Sequence, residues 1–82
     1  MYREQIIREM QAIFDELFLD QVTLAPELTA KEVPEWDSLM QINILVAIEQ
    51  HFKVRFRMGE VETTSNIGEF ADLIARRLGE AE

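Results

Sequence analysis

The sequence has no cysteine, one histidine, three glycines and two prolines among its 82 residues, and each scarcity closes off a class of chemistry. Without cysteine there is no disulfide scaffold, no thiolate nucleophile and no thiolate ligand for zinc, so any thiol chemistry has to be imported. A single histidine, His51, leaves a metal site or a Ser-His-Asp site without a second imidazole, and near a helix end it reads as a dipole-compatible surface residue. Three scattered glycines form no phosphate-binding loop. Carboxylate pairs such as Glu60 and Glu62, or Asp15 and Glu16, lack the oxygen-rich loop of a calcium site and read as solvated charges. No catalytic or metal-ligating residue is therefore expected, and the chain is not read as an enzyme. No apolar run approaches the length of a membrane span. The opening MYREQIIREMQ alternates charged and apolar residues, unlike a secretory signal.

Positive charge is also scarce. Against 16 Asp and Glu stand 8 Lys and Arg, a formal net charge of -8. That balance repels phosphate backbones, so nucleic acid is not expected as a partner, and it would steer the chain toward a basic surface on another protein. What the chain does have is an ordinary apolar share, 48%, enough for one small core. The expectation is a single domain over residues 1–82, monomeric and cytoplasmic.

Apolar residues between Tyr2 and Phe18, namely Ile6, Ile7, Met10, Ile13, Phe14, Leu17 and Phe18, recur at threes and fours and predict an amphipathic helix. Residues 19–36 hold both prolines and no helical period, and predict a long ordered loop pinned by Val22, Leu24, Leu28 and Val33. Pro34 keeps Val33 extended, and a second helix is predicted from Asp37 or Ser38 to His51 or Phe52. Lys53 to Phe56 alternates basic with apolar residues, and one short helical turn is predicted around Met58 to Glu62. A last helix opens near Ser65 or Asn66, with Asn66 and Glu69 as a capping pair and Asp72 supporting Arg76 one turn on. Arg76 and Arg77 suit its negative end, and Gly79 is its expected stop.

The second helix carries more apolar surface than a core needs. On a helical wheel Met40, Ile44, Leu45, Ala47, Ile48 and Phe52 fill one wide arc, while Leu39, Ile42 and Val46 lie on the other side among Ser38, Asn43, Glu49 and Gln50. Either the helix is buried nearly all round, or these three form an exposed docking stripe. At its start, Asp37 and Ser38 are both good N-cap residues, and Ser38 with Gln41 has the form of a capping box. Ser38 has no neighbour in sequence to serve as a base except Asp37. It is better suited to being modified than to modifying.

Asp37, Ser38 and Leu39 form a DSL run at the start of this helix, followed by AIEQHFKVRF (Ala47 to Phe56) and a final helix opened by a Thr/Ser/Asn stretch and Ile67. Over nearly its whole length the sequence resembles the acyl carrier protein family. The resemblance implies an all-α four-helix bundle with a long loop between helices 1 and 2 and a short third helix. It also implies that a phosphopantetheinyl transferase attaches 4'-phosphopantetheine from coenzyme A to Ser38, with Asp37 positioning that enzyme and capping the helix. The arm's thiol would hold acyl groups as thioesters, and tethering would raise their effective concentration for successive enzymes. Leu39, Ile42 and Val46, with Glu49, match the family's partner-contact positions. Implied partners are the transferase, an acyl-loading ligase or transferase, and pathway synthases. Ile44, Leu45 and Ile48 would line the space that shelters a growing chain.

Two departures stand out. Carriers of fatty acid synthesis have a second helix dotted with acidic residues, whereas here Gln41, Asn43 and Gln50 leave Glu49 as the only carboxylate, and Lys53, Arg55 and Arg57 follow. Trp36 before the DSL run resembles discrete carriers of specialised pathways, polyketide building-block loading among them. A standalone carrier of a specialised fatty acid, polyketide or related pathway is therefore expected. The alternatives are a peptidyl or aminoacyl carrier, and an unmodified interaction module using the Leu39/Ile42/Val46 stripe.

Overall fold

The computed structural model describes residues 2–57 and 59–81, without the side chains of residues 80 and 81. Three helices of 15 residues each, α1 (Arg3–Leu17), α2 (Ser38–Phe52) and α3 (Ile67–Ala81), form where the three-and-four apolar spacing places them. The architecture is all-helical, with no strand among the described residues. Where a short third helix was expected there is one 3-10 turn, Val61–Thr63, so the four-helix count reduces to three α-helices and this turn. Met58, the start expected for that turn, lies outside the described residues.

Helix α1 packs against both α2 and α3. Ile6, Met10 and Phe14 from α1, Ile44 and Ile48 from α2, and Ile67 and Ile74 from α3 are the largest fully buried side chains. Each such side chain contributes about 1.5–3 kcal/mol by leaving water. A helix-period stripe on each element suffices to build this centre.

The long loop is held as the isolated Val and Leu residues predict: Leu24 and Val33 are buried, and Val22 and Leu28 pack partly buried against the core. Polar brackets reinforce it. The Gln11 amide donates to the Val22 carbonyl (2.7 Å) and accepts from the Leu24 N–H (2.9 Å), while the Glu35 carboxylate accepts from the Leu19 and Asp20 N–H groups (3.2 and 2.9 Å). A 3-10 turn at Ala30–Glu32, not anticipated within the loop, closes with the Glu32 carboxylate accepting from both the N–H and the hydroxyl of Thr29. The loop also caps α3: the N–H groups of Ile67 and Gly68, orphaned at a helix start, donate to the carbonyls of Leu28 (2.9 Å) and Pro26 (2.8 Å). A Cβ at position 68 would sit 3.1 Å from the Pro26 oxygen, so glycine permits this approach.

Several local expectations are corrected. Gly79 does not stop α3, which continues to Ala81 with no neighbour crowding that glycine. Asp72 directs its carboxylate at Arg3 of α1 (Arg3 Nε to Oδ1, 2.9 Å), tying the first and last helices together instead of bonding Arg76. Glu60 is no freely solvated charge: it pairs with Arg77, whose side chain is largely buried, and accepts from the Arg57 N–H at 2.9 Å. The Asn66 and Glu69 pair caps α3 as expected, the Asn66 side chain accepting from the Glu69 N–H (2.8 Å), but the Glu69 carboxylate reaches back to the N–H of Ser65 (2.9 Å).

Candidate functional site

The loop delivers the chain to α2 in extended geometry, and the helix begins at Ser38. Asp37 is the N-cap: its Oδ1 accepts from the Met40 N–H at 2.8 Å, and its carbonyl takes the first helical bond, from the Gln41 N–H, at 2.9 Å. The expected capping box between Ser38 and Gln41 is therefore not formed, because Asp37 occupies the cap and Ser38 is the first helical residue. The Gln41 side chain accepts a hydrogen bond from the indole Nε1–H of Trp36. Trp36 is itself fixed edge-on against Phe14 and Phe18, with ring centroids 5.3 and 6.3 Å away. Three aromatic rings and an amide thus brace the residues on either side of Ser38.

Ser38 is exposed, and among the described residues its hydroxyl has no hydrogen-bond partner. No imidazole is placed to deprotonate it: His51 stands at the far end of α2, its Nε2 2.7 Å from Glu9 Oε1. Around the hydroxyl are the positive end of a 15-residue helix and the Asp37 carboxylate, already engaged as a cap. Such a serine is open to a second protein's active site and has no means of reacting by itself.

Next to it, the apolar residues on the outer side of α2 are open to solvent: Leu39 is 68%, Ile42 58% and Val46 47% exposed. Burial nearly all round is thereby excluded, and Leu39, Ile42 and Val46 form one stripe starting beside Ser38. The inward arc is also as the wheel places it, with Ile44, Ile48 and Phe52 buried and Met40, Leu45 and Ala47 partly so. Glu49 differs in character from the stripe. Its Oε2 accepts from the Phe56 N–H at 2.9 Å, which makes it a brace for the segment after α2.

Ile44 and Ile48 are fully buried core side chains. The open space nearest Ser38 in sequence is a cavity of about 160 Å3 walled by Trp36, Gln41, Leu28, Val61 and Phe70. Sequence reasoning missed this cavity because its walls come from three segments far apart in the chain. The indole of Trp36 was the legible signal, a large ring with one polar atom that needs a partner when half-buried.

A family model described as a phosphopantetheine attachment site matches residues 36–74, which run from Trp36 to Ile74 in the core of α3. Among solved structures, the solution NMR structure of a holo acyl carrier protein from Geobacter metallireducens matches with a TM-score of 0.84 and 32% sequence identity. The match covers 93% of this chain and 88% of that one. Comparison with curated proteins returns no match. At this identity, over nearly the full length of both chains, the protein belongs to the acyl carrier protein family. It is a carrier that works with partner enzymes and is not itself an enzyme, and the cofactor of the matched domain is covalently attached phosphopantetheine.

Proposed function

We propose that Ser38 is the residue that receives the 4'-phosphopantetheine arm, and that the protein carries acyl intermediates of a specialised fatty acid, polyketide or related pathway. The observation that carries this reading is the exposed, unpartnered Ser38 hydroxyl at the first position of α2, beside an exposed apolar stripe and inside the matched segment. The residues present fit the group. A phosphodiester on Ser38 would lie at the helix's positive end, where anions are favoured. Asp37 keeps the helix start in place, and Leu39, Ile42 and Val46 offer apolar surface to the enzymes that visit the arm. When bound, the arm supplies the thiol that the cysteine-free chain lacks and holds the acyl group as a thioester.

The near-neutral outer face of α2 supports a specialised partner set: Glu49 is its one carboxylate, and it is bonded to the backbone. We take residues 1–82 to be one carrier domain, acting as a cytoplasmic monomer. Among the described residues no helix is long and apolar enough to cross a membrane.

Incubation with coenzyme A and a broad-range phosphopantetheinyl transferase, followed by mass spectrometry, tests the assignment. The expected result is the mass gain of one phosphopantetheine in the parent chain and none in Ser38→Ala. No gain in the parent, or a gain retained by the variant, overturns it. Normal binding of every partner by Ser38→Ala would favour an unmodified interaction module, since loss of that hydroxyl leaves the Asp37 cap intact.

A further inference from the structure

The exposed stripe of α2 runs into a concavity of about 510 Å3 that Val46 shares with Glu49, Gln50, Lys53, Val54 and Arg55. This concavity differs in charge from the rest of the molecule. Residues 38–57 contain one carboxylate, Glu49, and three cations, Lys53, Arg55 and Arg57, in a chain of net charge -8. Alternation fixes where those cations lie. After α2 the buried Val54 and the half-buried Phe56, the latter edge-on to Phe70 at 6.1 Å between centroids, point inward, and Lys53, Arg55 and Arg57 are left exposed.

The segment is also fixed in place. The Val54 N–H donates to the Glu49 carbonyl (3.2 Å), the Phe56 N–H to Glu49 Oε2 (2.9 Å) and the Arg57 N–H to Glu60 Oε1 (2.9 Å). The one carboxylate of the patch is therefore occupied by the backbone it supports. Among the described residues neither Lys53 nor Arg55 is in an ion pair. Two cations outnumber the one carboxylate of the concavity, and their braced backbone needs no ordering, so binding has to order only their side chains.

We propose that Lys53 and Arg55, with Val46 beside them, form a docking site for a carboxylate-bearing segment on the surface of a partner enzyme. The inference rests on the carrier reading above and adds the chemistry of the partner, whose surface is acidic where it meets the end of α2. Net charge alone selects the opposite, a basic partner. Range decides between them, because at physiological salt a charge is felt over about 8 Å. A small acidic patch meets the two cations at contact distance, whereas a broad anionic surface such as a membrane or nucleic acid also meets the remaining acidic faces and is repelled.

The test is a titration of the isotope-labelled full chain, in both its unmodified and phosphopantetheinylated forms, with a hexaglutamate peptide at low salt. Amide shifts concentrated in residues 46–57 and fading as salt is added are expected. Lys53→Glu/Arg55→Glu should weaken the affinity about tenfold, as two exposed ion pairs become repulsive, with the helical circular dichroism unchanged. The neutral Lys53→Gln/Arg55→Gln should give an intermediate loss. Shifts elsewhere, no shifts, an equal response in the charge-reversed variant, or the same residues responding to hexalysine would each overturn the proposal. So would binding to phosphatidylglycerol vesicles that requires the two cations when the peptide does not bind. The mass gain at Ser38 is a separate readout, so either reading can fall while the other stands.

Discussion

Helices α2 and α3 have the same length and share one core, yet their outer sides have nothing in common. Behind the buried Ile67, Phe70, Ala71, Leu73 and Ile74, helix α3 turns Glu69, Asp72 and Arg76 to solvent. Behind Ile44, Ile48 and Phe52, helix α2 turns Leu39, Ile42 and Val46 to solvent. Water gains nothing from exposed aliphatic surface, and a helix serving the core alone would carry charges there, as α3 does. The contrast teaches that α2 does two tasks on two faces. Stability and recognition should then separate under mutation in α2 and not in α3.

The sharpest way to break this contrast is to truncate the two faces of α2 one at a time. Ile44→Ala removes fully buried methyl groups and should cost about 2–5 kcal/mol in denaturant unfolding. Ile42→Asp, on the exposed stripe, should leave the helical circular dichroism largely intact and the unfolding midpoint close to the parent's, yet weaken the binding of partner enzymes to the carrier in a direct binding titration. If Ile42→Asp unfolds the protein, position 42 belongs to the core and the two-face reading of α2 fails.

A smaller loss is expected from Trp36, which links the face of α2 to α1. Trp36→Phe keeps a ring against Phe14 and Phe18 but removes the donor to Gln41, and should cost about 1 kcal/mol in thermal or denaturant melts. A loss equal to that of Ile44→Ala would mean that ring packing, and not the hydrogen bond, governs the start of α2.

These two sites also mark how much could be read from the chain. The three helices and the inward and outward arcs of α2 follow from apolar spacing, because spacing and burial express the same geometry, while the pinning role of Leu24 and Val33 follows from their being isolated apolar residues in an otherwise polar loop. What was not legible is polar and long-range. Gln41 satisfies the S-x-x-Q spacing as well as any capping residue, but Asp37 precedes it and the indole of Trp36 is its partner. Asp72 has the right spacing for Arg76, and Arg3, 69 positions away in sequence, takes its carboxylate. Spacing alone offers no sign of such partners, since tertiary folding brings them together. The same holds for Glu60, which looked solvated until α3 laid Arg77 against it.

The ion pairs of α3 give the contrast a dependence on acid. The Arg77 guanidinium holds the Glu60 carboxyl below its usual range, with help from the Arg57 N–H, and Arg3 does the same for Asp72. Folded values below the unfolded ones mean that the unfolded chain binds protons more readily. Both pairs then contribute fully above the ordinary carboxylate range, and the contribution is lost as pH falls through the lowered values, below about pH 4. Melting temperatures followed downward from neutral pH should fall in that window. The fall should be shallower in Glu60→Gln and Asp72→Asn. An unchanged slope would remove these pairs as a source of acid sensitivity and leave α3 held by its apolar side alone.

The smallest effect is expected at the end of α2, where its two tasks meet in one residue. Lys53 closes the helix in the left-handed region at φ 58, a conformation that disfavours any side chain and that glycine adopts freely. For stability alone, glycine is the better residue there. Lys53→Gly relieves the backbone at some cost in chain entropy, so the net gain in unfolding free energy should be below about 1 kcal/mol. The same change removes one of the two cations beside Val46 that are in no ion pair among the described residues and should weaken the response to an acidic peptide. A variant that is slightly more stable yet poorer at binding would show the lysine to be kept for its charge despite its conformation. A variant that is less stable would mean that the lysine's methylenes pack against the end of the helix, leaving stability and recognition inseparable at this position.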